Sequence, residues 1–243
     1  ALTEKQANAS APDTDDSNWR VLNLPHDWSI EADFSLDNPA TPGGGALPGG
    51  MGWYRKHFKL SESDKGKVIY IDFDGVYRNS RVWLNGHLLG FRPNGYVSFR
   101  YDLTPYLNYG KEENVLVVQA DNSDQPNSRW YSGSGIYRNV WLVKTGQVHV
   151  DNWGTNITTP VMNADKSTVE IETTLKNEAS DVTVEVSTLI QDKEGKTLYR
   201  ISSPVEIAAG GKKTVTHTIE MFYTMERPES LSVHRHNRGE SQQ

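Results

Sequence analysis

Ser80-Arg81-Val82-Trp83-Leu84-Asn85-Gly86-His87-Leu88-Leu89-Gly90-Phe91 is the stretch whose reading decides the fold class. Ser80–Leu84 alternates through Val82 and Leu84, and His87–Phe91 reads as a return strand. Asn-Gly between them is the strongest two-residue hairpin signal in the chain, because a tight turn of this kind needs positive φ at both central positions.

Working outward, the same short-strand pattern recurs. Val68-Ile69-Tyr70-Ile71-Asp72-Phe73 is β-branched and aromatic and runs into Asp74-Gly75, a turn. Trp53–Leu60 alternates with one largely apolar face. Val97, Phe99 and Tyr101 alternate, Asp102–Leu107 reads as a single helical turn, Asn114–Ala120 as a buried central strand, and Asn139–Lys144 as the last strand of the unit. Trp19–Leu24 reads as a short extended segment before a turn at His26-Asp27-Trp28. Residues 37–52 hold six glycines and three prolines, a composition that predicts a long loop, and long loops in compact domains are commonly functional. Eight or nine strands between residues 19 and 145 without a long helical pattern predict an all-β jelly roll.

Thr145-Gly146 marks a boundary. Beyond it Val148–Ile157, Thr168–Lys176, Val182–Gln191, Thr197–Ser202 and Lys213–Met221 alternate cleanly, the mark of half-buried antiparallel sheet, and predict an immunoglobulin-like β-sandwich of five or six strands. The expected division is therefore 1–146, 147–222, and an irregular tail over 223–243 with no closing strand pair. A short helix is expected at Leu2–Asn8.

With 243 residues, a net charge of −6 and a pI near 5.7, the chain lacks the basic footprint of a nucleic-acid binder. No run approaches eighteen apolar residues, so no membrane span is expected. Zero cysteines exclude disulfides and thiol catalysis. The first residues lack a basic start and an apolar stretch; a periplasmic or secreted location after signal removal is expected ahead of the cytoplasm.

The chemistry-bearing residues narrow quickly. Asp72, Asp74, Asp121 and Asp124 read as turn aspartates. His26 beside Asp27 would point to the opposite face on an extended chain, so Asp27 is expected to brace a turn. His234 and His236 share a face if extended but lack a third ligand, and no metal or cofactor is expected. Residues 43–52 lack the lysine and the following helix of a phosphate cradle. Ser132–Gly135 lacks the order of a nucleophile elbow.

Arg129-Trp130-Tyr131-Ser132-Gly133-Ser134-Gly135-Ile136-Tyr137-Arg138 remains. It reads either as a loop shaped for binding or as an aromatic bulge that closes a sandwich. Trp53, Trp130, Tyr131, Tyr137 and Trp141 have flat faces suited to pyranose rings, and Arg129, Asn127 and Asn94 have hydrogen-bonding groups for hydroxyls. Trp53 and Trp141 are expected in the core, with Trp130 the exposed candidate.

Five ordered segments then carry a resemblance: Leu24–Glu31, Gly52–Lys56, Val82–Gly86, Tyr101–Leu107 and Ser134–Val140. Residues 19–145 resemble the N-terminal sugar-binding domain of family 2 glycoside hydrolases, the β-galactosidase and β-glucuronidase group, and within it the Bacteroides-type β-galactosidases. Residues 146–221 resemble the family's immunoglobulin-like domain more weakly. The resemblance implies a retaining glycosidase whose two glutamates, about 5 Å apart, lie on a TIM barrel that this chain does not contain. It also implies that the loop with Arg129, Trp130 and Asn127 and the loop with Gly49 and Gly50 border the sugar site of that missing barrel, with a β-linked, galactoside-like substrate and room for a homo-oligomer. The sequence departs from the family after Met221, and Arg129 stands where family members often carry an acid. The competing expectation is a stand-alone carbohydrate-binding or adhesive module.

Overall fold

The structure is a computed structural model that describes residues 9–222 and 231–234. The helix expected at Leu2–Asn8 lies outside the described residues, as does His236. The chain divides into two compact units, residues 1–144 and 145–243. Among the described residues no helix is long and apolar enough to cross a membrane.

Unit 1 contains β1 (Gly50–Phe58), β2 (Val68–Phe73), β3 (Ser80–Leu84), β4 (His87–Arg92), β5 (Phe99–Asp102), β6 (Asn114–Asn122) and β7 (Val140–Thr145). They form two sheets, ordered β1–β6–β3–β4 and β5–β2–β7. The all-β sandwich expected from the sequence is present, with seven strands among the described residues in place of eight or nine. Trp19–Leu24, expected as a short extended segment, joins no ladder.

Alternation explains the core. On β2, Ile69, Ile71 and Phe73 face inward and meet Val82, Leu84, Leu116, Val118 and Ala120 of the opposite sheet. Phe73 stacks on Phe99 with ring centroids 4.9 Å apart. Each such side chain contributes about 1.5–3 kcal/mol on burial. The outward residues of β2 pair instead: Asp72 receives two hydrogen bonds from Arg100, at 2.5 and 2.6 Å.

The β3–β4 turn has φ of 50° at Asn85 and 85° at Gly86, as its Asn-Gly sequence demands. Asn85 does more than turn the chain. Its amide donates to Asn114 Oδ1 at 2.9 Å and to the Tyr106 carbonyl at 2.7 Å, while its oxygen accepts from Val115 N–H at 2.8 Å. The hairpin is thereby tied to the start of β6 and to the Thr104–Tyr106 turn, a single 3-10 turn where one helical turn was expected.

The other face of the four-stranded sheet carries Trp53, stacked on Trp83 at 5.5 Å, and Arg55. Residues 9–16 lie across it as an irregular strap. Trp141, expected in the core, is 55% exposed on the edge strand β7, and its Nε1 donates to Asp74. An apolar cleft of about 600 Å³ opens between β1 and β7, with Trp19, Leu22 and Leu24 on one wall and Phe58, Phe73 and Leu116 on the others.

Unit 2 contains β8 (Val148–Met162), β9 (Lys166–Asn177), β10 (Val182–Asp192), β11 (Thr197–Ile207), β12 (Lys212–Phe222) and β13 (Leu231–His234). They form sheets ordered β12–β9–β8 and β11–β10–β13. Val169, Ile171, Ile190, Ile219 and Met221 make one core cluster, and Leu175, Val186, Val205 and Ile207 a second. His217, 4% exposed, sits between Thr188 Oγ1 at 2.8 Å and Ser203 Oγ at 2.9 Å. The expectation of an irregular tail is corrected at Leu231–His234, which pairs antiparallel with Leu189–Asp192. This strand joins β10 on the side opposite β11.

Candidate functional site

The stretch Ser134–Ile136 is gripped on both sides. Trp28 N–H donates to the Ser134 carbonyl at 3.1 Å and His26 N–H to the Ile136 carbonyl at 2.8 Å; Gly135 exchanges two 2.9 Å backbone bonds with Tyr77. Lying between these two segments fixes where the Arg129–Gly133 loop starts back toward the sheet.

Asp27 organises the near side. Its Oδ1 accepts from Ser29 N–H at 2.9 Å and from Ser134 N–H at 3.0 Å, and its Oδ2 accepts from the Tyr131 hydroxyl. Burial, and next the bond to Asp27, push the Tyr131 phenol well above its ordinary value, so it remains a donor. Asp27 thus braces a turn as expected, while His26 points elsewhere, with Nδ1 2.9 Å from the Tyr54 hydroxyl. Glu31 receives a bidentate Arg20, and that contact first of all pulls its carboxyl down to about 2.

Asn122 at the end of β6 organises the far side. Its Nδ2 donates to Ser134 Oγ at 2.9 Å and to the Gly133 carbonyl at 3.1 Å; its Oδ1 accepts from Gln125 at 2.9 Å and Asn127 at 2.6 Å. The glycine loop closes onto the same residues. Ser29 Oγ lies 2.5 Å from the Pro48 carbonyl and 2.6 Å from Ser134 Oγ, and Trp28 Nε1 donates to the Gly49 carbonyl at 3.2 Å. Gly49 must be glycine, because a Cβ there would stand 2.4 Å from the Asn122 carbonyl oxygen.

The structure therefore brings Asn127 and Trp130 together with Gly44, Leu47 and Pro48 of the glycine loop around one crevice, lined also by Gln125 and Tyr131; Gly49 follows Pro48 and is not part of its lining. Its interior, about 10 Å³, suits one water molecule and no pyranose. The amide of Asn127 is committed to Asn122, and Gly49 to close backbone contact. Gly50 lies at the start of β1 with φ of 106° and open space where a Cβ would sit. What faces solvent is the loop tip. Trp130 is 63% exposed with Nε1 3.4 Å from the Tyr96 hydroxyl, Tyr96 is itself exposed, and Arg129 lies beside them in the open. The tip is held from within: Ser128 Oγ donates to the Trp130 carbonyl at 2.5 Å and lies 2.9 Å from Ser132 Oγ. Ser134, fully buried and hydrogen-bonded, is scaffold.

Among the described residues no group of three His, Asp or Glu side chains is placed to hold a metal ion. The large cleft beside β1 is lined mainly by aliphatic and aromatic groups, with Asp16, Arg20, Tyr54, Arg55, Lys56 and His57 as its polar members. Sequence reasoning missed Asp27, Ser29, Asn122 and Tyr96 as members of the site. The Asp-x-Ser spacing at 27–29 is a legible turn signal. Its bond to Ser134, more than a hundred residues away, has no local signature.

Residues 17–146 match the family described as glycosyl hydrolases family 2, sugar binding domain. A β-galactosidase of Bacteroides ovatus is 52% identical over 226 residues, covering 93% of this chain and 26% of that protein. A β-glucuronidase of Formosa agariphila is 31% identical over 223 residues, covering 83% and 23%. A solved structure of a family 2 glycosyl hydrolase from Bacteroides cellulosilyticus superposes with a TM-score of 0.85 at 39% identity, covering 89% of this chain and 28% of that one. The chain spans about a quarter of the length of these relatives. With the sandwich, the two apposed loops and the profile match in agreement, the chain belongs to glycoside hydrolase family 2, of which it carries the non-catalytic N-terminal sugar-binding region.

Proposed function

We propose that unit 1 supplies one wall of the sugar site of a β-galactosidase-like retaining glycosidase, and that Arg129 and Trp130 are its contacts with a β-linked, galactoside-like substrate. The catalytic glutamate pair of such an enzyme must flank the scissile bond about 5 Å apart, and in this reading it lies on a barrel of the whole protein. The observation that carries the proposal is the geometry of the loop tip. Inside the crevice Ser29, Asn122, Ser134 and the amide nitrogens of Gln125 and Asn127 are spent on bracing, whereas Trp130 and Arg129 project outward from a rigid base. A large exposed aromatic held in place is suited to stacking on a sugar face and loses little entropy on binding. Asn127, Gly49 and Gly50 serve in this reading by positioning the tip.

The test uses the whole glycosidase. Trp130→Ala is expected to raise KM about 3- to 10-fold, matching the ~0.5–1.5 kcal/mol of an aromatic contact, and Arg129→Ala to alter selectivity among substituted galactosides. Unchanged kinetics in both variants would refute the assignment. The 243-residue chain alone is expected to bind galactosides and glucuronides weakly and to turn over neither. Tight sugar binding by the isolated chain, seen in Trp fluorescence, would favour the alternative of a self-sufficient carbohydrate-binding module.

A further inference from the structure

The strap of residues 9–16 is fastened to the outer sheet face by a cluster that the sugar site does not use. Arg55, with a side chain only 1% exposed, donates to the carbonyls of Ala9 and Ala11 at 2.8 and 2.9 Å and of Pro12 and Thr14 at 3.1 and 3.4 Å. Its Nε reaches Asp16 Oδ2 at 2.7 Å. Two residues along β1, on the same face, His57 stands between two carboxylates. Nε2 is 2.8 Å from Asp16 Oδ2 and Nδ1 is 2.9 Å from Glu113 Oε2.

That geometry has one consistent protonation state. An ionised carboxylate only accepts hydrogen bonds, and a neutral imidazole offers one N–H and one lone pair. A neutral His57 would set its lone pair against one of the two carboxylate oxygens, whereas the imidazolium donates to both. The ring is about a third exposed, so it exchanges protons with solvent.

We propose that His57 is a proton-operated latch: as imidazolium it bridges Asp16 of the strap to Glu113 before β6, and on losing its proton it loosens the Asp16–Trp19 end of the strap from the sheet.

The charged groups around the ring are Asp16 from the strap, Glu113 from the turn before β6, and Arg55 from its own strand, which shares Asp16 Oδ2. Two carboxylates against one guanidinium leave one negative charge, which the imidazolium neutralises. Consistent with this, the bond to Asp16, and less strongly the one to Glu113, hold the imidazole above its ordinary value. A raised folded pKa makes the stabilisation complete below the unfolded value near 6.5 and removes it as pH rises through the folded value. The strap therefore tightens in mild acid and loosens toward alkali. Arg55 keeps its carbonyl bonds throughout, so the change is a loosening and not a release. Trp19, Leu22 and Leu24, which follow Asp16, form a wall of the apolar cleft, so a loosened strap uncovers that cleft.

The test is made on the 243-residue chain. NMR titration of the His57 ring is expected to give a midpoint above 6.5. Amide protection of residues 13–17, corrected for intrinsic exchange, is expected to fall, and binding of an anilinonaphthalene dye to rise, with the same midpoint. His57→Gln is expected to abolish the pH step and leave the strap loose at all pH values; Glu113→Gln should move the midpoint down. A ring that titrates at or below 6.5, strap protection indifferent to the ring's titration, or a pH step that survives in His57→Gln each overturns the proposal. Should His57→Gln not fold, Glu113→Gln decides alone: an unmoved midpoint sinks the latch.

Discussion

Replacing Asn122 by alanine removes four hydrogen bonds at once, and the structure says which of them matter. Gln125 and Asn127 are only half-buried, so their amides can turn to water. The Gly133 carbonyl and the Ser134 hydroxyl are buried and lose their donor; Ser134 keeps Ser29, whereas Gly133 is left bare of this partner. One stranded buried acceptor costs about 1–3 kcal/mol and each lost bond about 1 kcal/mol, giving a total of about 3 kcal/mol. Against a domain stability of about 5–15 kcal/mol, the variant folds but is weakened. Six of the seven tryptophans lie in unit 1, so fluorescence during urea unfolding reports that unit. With a slope of about 2 kcal/mol/M, the midpoint should fall by about 1.5 M. Ser134→Ala in a double-mutant cycle with Asn122→Ala should show a coupling of about 1 kcal/mol. A midpoint shift below about 0.3 M, or additive single effects, would refute the claim that Asn122 ties the two loops together.

Gly49→Ala is expected to cost about 2–3 kcal/mol of unit 1 stability and to alter the environment of Trp28, because the new methyl meets the Asn122 carbonyl oxygen; near-UV circular dichroism and urea unfolding read both. Tyr131→Phe should cost about 1 kcal/mol through the lost bond to Asp27 and increase amide exchange at Ser134, and an unchanged exchange rate would contradict that bracing. In unit 2, burial holds the His217 imidazole below its ordinary value, so the unfolded chain binds the proton more readily. Unit 2 is therefore expected to lose stability as pH falls through about 6.5, the opposite sense to His57, and amide protection along β9 and β12 that stays flat from pH 8 to 5 would count against it.

Much of the fold was legible because period-two alternation and Asn-Gly chemistry act locally. Val68–Phe73 declared a strand with one buried face, and Ser80–Phe91 declared a hairpin. Trp141 misled because an aromatic at a strand position says nothing about whether its face is covered, and β7 has only one neighbour in its sheet. The pairing of Leu231–His234 was missed because four residues, with arginines and histidines around them, carry too short an alternation to declare a strand, and the edge of β10 that they join is not written in the local sequence. Of the candidate site, exposure of Trp130 could be anticipated from a loop rich in glycine and serine. The reach of Asp27 to Ser134 and Tyr131 and the role of Asn122 could not, since each depends on partners brought together by the sheet and not by the sequence around it.

Arg55 grips the strap almost wholly by main-chain oxygens, at Ala9, Ala11, Pro12 and Thr14, and by one side chain, Asp16. Carbonyls are the same whatever residue bears them. Apart from Asp16, the strap is thus free to drift in sequence so long as its length and its path are kept, while Arg55 is not free even to become lysine, whose single ammonium cannot span five acceptors. Scanning substitutions should find a tolerant segment at residues 9–15 next to intolerant Asp16 and Arg55, with a one-residue deletion between Pro12 and Asp16 doing more harm than any exchange of side chains within that segment.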